Sequence, residues 1–158
     1  MTTADFYYSI DTSALIHGWV RAYPIAVPMF RPVWDRIEQL IGNGRLRAST
    51  EVLTEIEKQD DDLTKWCKAR PALFPELDDP IQHRVAYLLG KYPRMVDTSK
   101  GRSGADPFVV AYAMTQRPMC TVVTEERGGS DKRPKIPSVC LAESVRCITL
   151  LDLLTEQS

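Results

Sequence analysis

Several features that would assign this chain to a specialised class are missing from its sequence. No apolar run reaches the roughly 18 residues that a transmembrane helix needs. The N-terminal sequence MTTADF has no basic region followed by an apolar stretch, so we expect no signal peptide. The formal net charge is −1, which excludes an overall field that attracts nucleic acid. These absences predict a cytoplasmic protein without membrane contact.

Signals for zinc binding, disulfides and nucleotide binding are also missing. The four cysteines form no CxxC pair, and His17 and His83 stand at no ligand spacing from them. We therefore expect reduced thiols in or near the core. Neither GxxxxGK[ST] nor a GxGxxG that follows a strand is present, which argues against the common phosphate-binding loops.

Strand and helix patterns alternate along the chain. The strands are predicted at residues 6–10, 45–49, 119–124 and 146–150. Helices are predicted within 12–44, in two pieces broken near Tyr23-Pro24 and Pro28, and at 51–58, 63–70, 80–92, 105–115, 136–144 and 151–156. This alternation predicts a single α/β domain over residues 1–158, with a central, mostly parallel sheet of four or five strands between two helical layers.

Carboxylates fall at four places where a strand end or helix start is expected to face one crevice. Asp11 ends the first strand, Glu55 lies on the helix after the second, Asp106 begins the helix before the third, and Glu125 and Glu126 end that third strand. Open α/β sheets bind ligands at the carboxyl ends of their strands. Clustered carboxylates repel one another unless a cation compensates, and oxygen-only ligands select Mg²⁺ or Mn²⁺. Such ions promote phosphodiester hydrolysis.

Each of these acids also has a simpler interpretation. Asp11 and Asp106 suit the N-caps of the helices that follow them, Glu55 suits a solvated helix face, and Glu125 and Glu126 suit a polar loop. Independent caps need not fall at corresponding strand edges, so the joint pattern favours a metal site.

Four ordered segments carry a resemblance to a known family. SIDTSALI, TEVLTEIEK, GADPFVVAYA and TVVTEE resemble the PIN-domain family, the metal-dependent ribonuclease fold of VapC-type toxins, over essentially the whole chain. The resemblance implies that Asp11, Glu55 and Asp106 bind the metal. The family usually has Asp at the position of Glu126, so Glu125 and Asp131 stay open as alternatives for the fourth acid.

The same resemblance implies supporting roles for hydroxyl residues. Thr12 and Ser13 match the small polar residues after the first Asp, and Thr124 matches the hydroxyl that follows the strand before Glu125. A haloacid-dehalogenase-type phosphatase is a less favoured alternative, because it needs a second Asp at the position of Ser13.

Two basic loops are expected to border the acidic site. They contain Lys100, Arg102, Arg127, Lys132 and Arg133, which we predict as RNA contacts, although charged loops are also common without a ligand. The resemblance implies an RNA substrate, Mg²⁺ or Mn²⁺, a small antitoxin partner and a homodimer. A non-catalytic PIN-like binding module is the alternative function.

Four other side chains are predicted to serve the fold. Tyr7, Tyr8 and Trp66 are expected in the core, and His17 on a helix surface or partly buried rather than in contact with RNA.

Overall fold

The computed structural model describes residues 5–96 and 104–158. Its strands are β1 Tyr8–Ile10, β2 Leu46–Arg47, β3 Thr121–Val123 and β4 Cys147–Ile148. Its α-helices are α1 Thr12–Ile16, α2 Arg31–Gly42, α3 Thr50–Glu57, α4 Asp61–Lys68, α5 Asp79–Lys91, α6 Ala105–Thr115, α7 Ile136–Ala142 and α8 Leu150–Glu156. A π-helix spans His17–Ala22, and short 3-10 turns span Pro28–Phe30, Pro71–Leu73 and Pro93–Met95.

The four strands form one parallel sheet in the order β2-β1-β3-β4. Tyr8 is in register with Leu46 on one side and Thr121 on the other, and Val122 pairs with Cys147. The predicted three-layer α/β/α class is confirmed. The direction in which strands are added reverses between β1 and β3, so a crevice opens where these two strands end.

The central strand β1 is buried on both sides, which explains its composition. Tyr8, Ser9 and Ile10 are all 0% exposed, and the Ser9 hydroxyl is satisfied by donating to the Val109 carbonyl on α6 at 2.8 Å. The expectation that Tyr7 belongs to the core was wrong: its carbonyl accepts the Thr121 N–H, but the residue lies just before β1 and is 37% exposed.

Short polar side chains begin most of the helices that follow a strand or loop. Asp11 caps α1, Ser49 caps α3, Asp60 caps α4 and Asp78 caps α5, each by accepting a hydrogen bond from a backbone N–H in the first turn. The Asp60–Asp62 run therefore serves as a helix start, with Asp60 as the cap and the other two acids in the first turn.

The predicted break in the long helical segment is present, and it has an unexpected form. Helix α1 runs directly into the π-helix His17–Ala22, which ends at Tyr23 before the proline-containing connection. Trp19 of this π-helix packs against Trp34 and Trp66, with ring centroids 5.3 and 5.9 Å away. This aromatic cluster holds the segment on α2 and α4.

The cysteine thiols lie in or near the core, as the sequence predicted. All four cysteines are free thiols; Cys67, Cys120 and Cys140 are buried and Cys147 is half-buried. No helix within residues 5–96 or 104–158 has both the length and the apolar character required of a membrane span.

Candidate active site

A cleft of about 680 Å³ opens at the carboxyl ends of β1 and β3. Residues from α1, the π-helix, α3, α6 and the segment after β3 form its walls. They are Asp11, Thr12, Ser13, Ile16, His17, Val20, Arg21, Glu55, Gln59, Asp106, Glu125 and Glu126. All four predicted metal ligands therefore face one cleft.

Asp11 lies at the base of this cleft and is held by neutral donors. Its Oδ1 accepts the Thr12 N–H at 2.8 Å, and its Oδ2 accepts the hydroxyls of Ser13 at 2.7 Å and Thr124 at 2.9 Å. The side chain is only 3% exposed, and no cationic side chain of the described chain pairs with it. Burial raises the pKa of Asp11, and these three hydrogen bonds offset only part of that effect. A bound cation would relieve the cost of its negative charge.

The two hydroxyls below Asp11 also fix the backbone that leads to the next acids. Ser13 Oγ accepts the Glu125 N–H and Thr124 Oγ1 accepts the Glu126 N–H, both at 3.0 Å, while the two oxygens lie 3.1 Å apart. The supporting positions predicted for Ser13 and Thr124 thus correspond to a network that joins β1 to the segment after β3. A dehalogenase-type phosphatase requires a second Asp at position 13. Here that position is Ser13, whose hydroxyl donates a hydrogen bond to Asp11.

Three carboxylates converge closely in the cleft. One oxygen from each of Asp11, Asp106 and Glu126 lies within 4.8 Å of the other two. Oxygens this close together could hold one divalent ion between them. The simpler interpretation of Asp106 as an N-cap does not hold, because Gly104 is the cap residue of α6 and Asp106 lies in the first helical turn. A carboxylate at that position is stabilised by the helix dipole.

Glu55 lies beside these three groups rather than among them. It projects from α3 into the cleft and accepts a hydrogen bond from the Thr12 hydroxyl at 3.2 Å. Thr12 therefore connects the first and second predicted acids, by its backbone N–H to Asp11 and by its hydroxyl to Glu55.

The alternatives for the fourth acid are separated by geometry. Glu125 Oε1 accepts the Leu150 N–H at 3.0 Å, so this carboxylate serves the first turn of α8 although it also lines the cleft. Asp131 lies in a different cleft of about 350 Å³, together with Lys132. Glu126 is the one of the three whose oxygen approaches both Asp11 and Asp106.

The basic residues predicted to contact RNA do not line the acidic cleft where they are described. Arg127, Lys132 and Arg133 are exposed on the segment after Glu126. Lys132 lines the second cleft together with Lys91, at the end of α5, and Arg94. Lys100 and Arg102 lie outside the described residues.

Two basic residues in the acidic cleft were not predicted from the sequence. His17 and Arg21 both lie on the π-helix and line the cleft. The sequence signal that could have indicated them is the spacing in HGWVR. His17 and Arg21 are four residues apart, on either side of the buried Gly18 and the half-buried Trp19.

Comparison with known proteins gives a family and no activity. A family described as a domain of unknown function (DUF4411) matches residues 8–158. No curated protein matches the chain.

Proposed function

The chain belongs to the DUF4411 family, and we propose that it is a divalent-cation-dependent endoribonuclease that hydrolyses RNA phosphodiester bonds in the Asp11 cleft. The single observation that supports this proposal most is the approach of Asp11, Asp106 and Glu126 to within 4.8 Å of one another around a buried carboxylate. Asp11 is buried among neutral donors, so a bound cation would offset the cost of its charge, and all the ligand atoms are oxygen.

The donor set fits a hard divalent ion, and Asp11, Asp106 and Glu126 would hold it. Oxygen ligands from carboxylates suit Mg²⁺ or Mn²⁺ and disfavour soft metals. When bound, such an ion polarises a phosphoryl group and lowers the pKa of water.

The protein's own groups would position the reactants. Asp11 cannot rotate freely, because three hydrogen bonds fix both of its oxygens. Glu55 lies beside the three close carboxylates, where its carboxylate can accept a proton from the attacking water and where the Thr12 hydroxyl orients it. These acids also repel a phosphodiester unless a cation is present, so the cleft selects its substrate only in the loaded state.

A toxin role extends this proposal. The resemblance of four sequence segments to VapC-type toxins supports a toxin–antitoxin pair, with a small protein that blocks the cleft. Expression of the chain should then stop bacterial growth, and co-expression of a small neighbouring gene should restore it. Growth arrest that persists in an Asp106→Asn variant would refute a toxin role based on this cleft.

The first experiment is cleavage of a mixed RNA pool by the purified protein. We expect cleavage with Mg²⁺ or Mn²⁺ and none with EDTA. Asp106→Asn should lower the cleavage rate at least about 100-fold, because it removes one of the three carboxylates that would hold the ion. Asp62→Asn is the matched control, because Asp62 also lies in the first turn of a helix and is exposed outside the cleft. Cleavage that survives Asp106→Asn would refute the assignment.

A second pair of variants distinguishes the adjacent glutamates. Glu126→Gln should weaken Mn²⁺ binding, measured by titration calorimetry, because it removes one of the three close carboxylates. Glu125→Gln keeps an oxygen that can accept the Leu150 N–H and should bind Mn²⁺ almost as wild type does. The reverse order of effects would move the site to Glu125. Wild-type Mn²⁺ binding without RNA cleavage would favour the non-catalytic binding module.

A further inference from the structure

The wall of the cleft that carries His17 and Arg21 is not explained by metal binding. Both residues belong to the π-helix that continues α1. π-helical turns are rare and occur frequently at functional sites. Here the turn brings two basic side chains into a cleft whose other titratable groups are all carboxylates.

This wall is held in place by close packing behind it. A Cβ on Gly18 would come within 2.7 Å of Leu150 Cδ2, so the backbone lies directly against α8. Trp19 packs against the Trp34 and Trp66 rings. The π-helix that carries the two basic residues therefore packs against α8, α2 and α4.

The two basic side chains have no partner within the described chain. Arg21 is exposed and His17 half-buried, and neither makes a side-chain hydrogen bond or an ion pair with any residue in 5–96 or 104–158. Carboxylates line the same cleft, yet the Arg21 guanidinium is paired with none of them. Its donors are thus available to a ligand.

A phosphate is the ligand that these groups fit best. The planar guanidinium donates in pairs to phosphate oxygens, and a histidine adds a further N–H donor. The cleft volume of about 680 Å³ lies within the range of small-ligand pockets, about 300–1,000 Å³, so a short segment of a single strand can enter it.

We propose that Arg21 and His17 form a phosphate subsite for single-stranded RNA, which binds a backbone phosphate next to the one held at the Asp11 carboxylate group. This inference rests on the proposed nuclease function, which supplies the phosphate at the Asp11 carboxylate group. Arg21 would anchor the strand across the cleft, and His17, one helical turn closer to Asp11, would contact the same phosphate from its other side.

The test is RNA binding measured separately from cleavage. Fluorescence anisotropy of a short labelled single-stranded RNA is recorded with Ca²⁺, which takes similar oxygen ligands, and the RNA is checked to be intact afterwards. Arg21→Gln should raise Kd about tenfold, because it removes a charge-assisted contact. The slope of log K against log salt should fall by about 0.7, the value for one phosphate of a single strand.

Two further variants serve as controls. Lys65→Gln removes an exposed cation from α4, outside the cleft, and should change neither Kd nor the salt slope. Arg21→Lys keeps the charge and loses the paired donors, so its Kd should lie between those of wild type and Arg21→Gln. His17→Asn should weaken binding less than Arg21→Gln does.

The outcomes separate this inference from the nuclease proposal. RNA binding weakened by Arg21→Gln, without any cleavage by wild type, would retain the subsite and refute the nuclease. Metal-dependent cleavage together with an unchanged Kd in Arg21→Gln would retain the nuclease and refute the subsite. Failure of wild type to bind the single strand, or equal affinity for a duplex, would also refute the subsite.

Discussion

Replacing Asp11 by asparagine tests the central feature of the site, a buried charge surrounded by neutral donors. Asparagine keeps one carbonyl oxygen, which can still accept the Thr12 N–H and cap α1. Its amide group then faces the hydroxyls of Ser13 and Thr124, which can rotate to accept instead of donate. We therefore expect the unfolding free energy of the metal-free variant to stay within about 1 kcal/mol of wild type.

Alanine at the same position gives a contrasting magnitude. Asp11→Ala loses the cap, which costs about 1 kcal/mol. It also removes the acceptor of two hydroxyls, the buried one of Thr124 and the half-buried one of Ser13, and the penalty for a buried unsatisfied group is about 1–3 kcal/mol. Because Ser13 and Thr124 lie 3.1 Å apart, one can donate to the other, so we expect a total near the lower part of about 2–4 kcal/mol.

Metal ions should distinguish the variants further. An ion that binds only the folded state stabilises wild type by about 2.7 kcal/mol when its concentration is about 100 times its Kd. Asp11→Asn should lose most of this increment in urea unfolding with and without Mn²⁺. Asp60→Asn is the matched control, since Asp60 also caps a helix and lies outside the cleft, and it should retain the increment. An Asp11→Asn protein that Mn²⁺ stabilises as fully as wild type would refute the reasoning.

The pH dependence of the metal-free protein follows from the same burial. The pKa of Asp11 is raised in the folded state, so folding is favoured while this group is protonated. The contribution is present below the unfolded pKa of about 3.9 and is lost as pH rises through the higher folded pKa. Asp11→Asn should remove this decline, whereas an unchanged decline would assign it to another group.

Three other changes have definite expected results. Thr124→Val removes a hydroxyl that donates to a buried carboxylate, and should lower the urea unfolding free energy by about 1–3 kcal/mol; no loss would show that the network is dispensable. Gly18→Ala places a Cβ 2.7 Å from the flexible end of Leu150, and a thermal melt should show a loss of about 1 kcal/mol, whereas an unchanged melting temperature would contradict this close packing. Arg146 holds the pKa of Glu156 below its usual value, so this ion pair stabilises the fold at pH values above the unfolded pKa of Glu156, and the stabilisation is lost as pH falls through the folded pKa. Arg146→Gln should make the urea midpoint fall less steeply at acid pH, and an unchanged fall would exclude the pair as its cause.

The positions of the secondary-structure elements were largely predictable, because their signals are local. Apolar alternation with prolines and glycines between segments predicted the order of strands and helices, and caps such as Asp60 and Asp78 marked helix starts. Strand lengths were overestimated: residues 45–49 were predicted as a strand, but only Leu46–Arg47 are in it. A strand extends only as far as its hydrogen bonds with the neighbouring strand. The residues of one strand do not show how long that neighbour is.

The candidate site was partly predictable for a related reason. A carboxylate directly after a buried strand must lie at the carboxyl edge of the sheet, so Asp11 and the pair Glu125 and Glu126 were assigned to one edge without coordinates. Asp106 was located correctly at the start of α6, whereas its alternative interpretation as an N-cap does not hold, since Gly104 caps that helix.

The sequence by itself thus determined which carboxylates share an edge, and only the tertiary structure decided which of them meet. The Glu125 carboxylate accepts a hydrogen bond from the Leu150 N–H, 25 residues further along the chain, whereas a Glu126 oxygen lies close to Asp11 and Asp106. The basic wall at His17 depends in the same way on Gly18 packing against α8. Such choices arise from contacts between segments that are distant in sequence, whereas periodicity and capping act within a few residues.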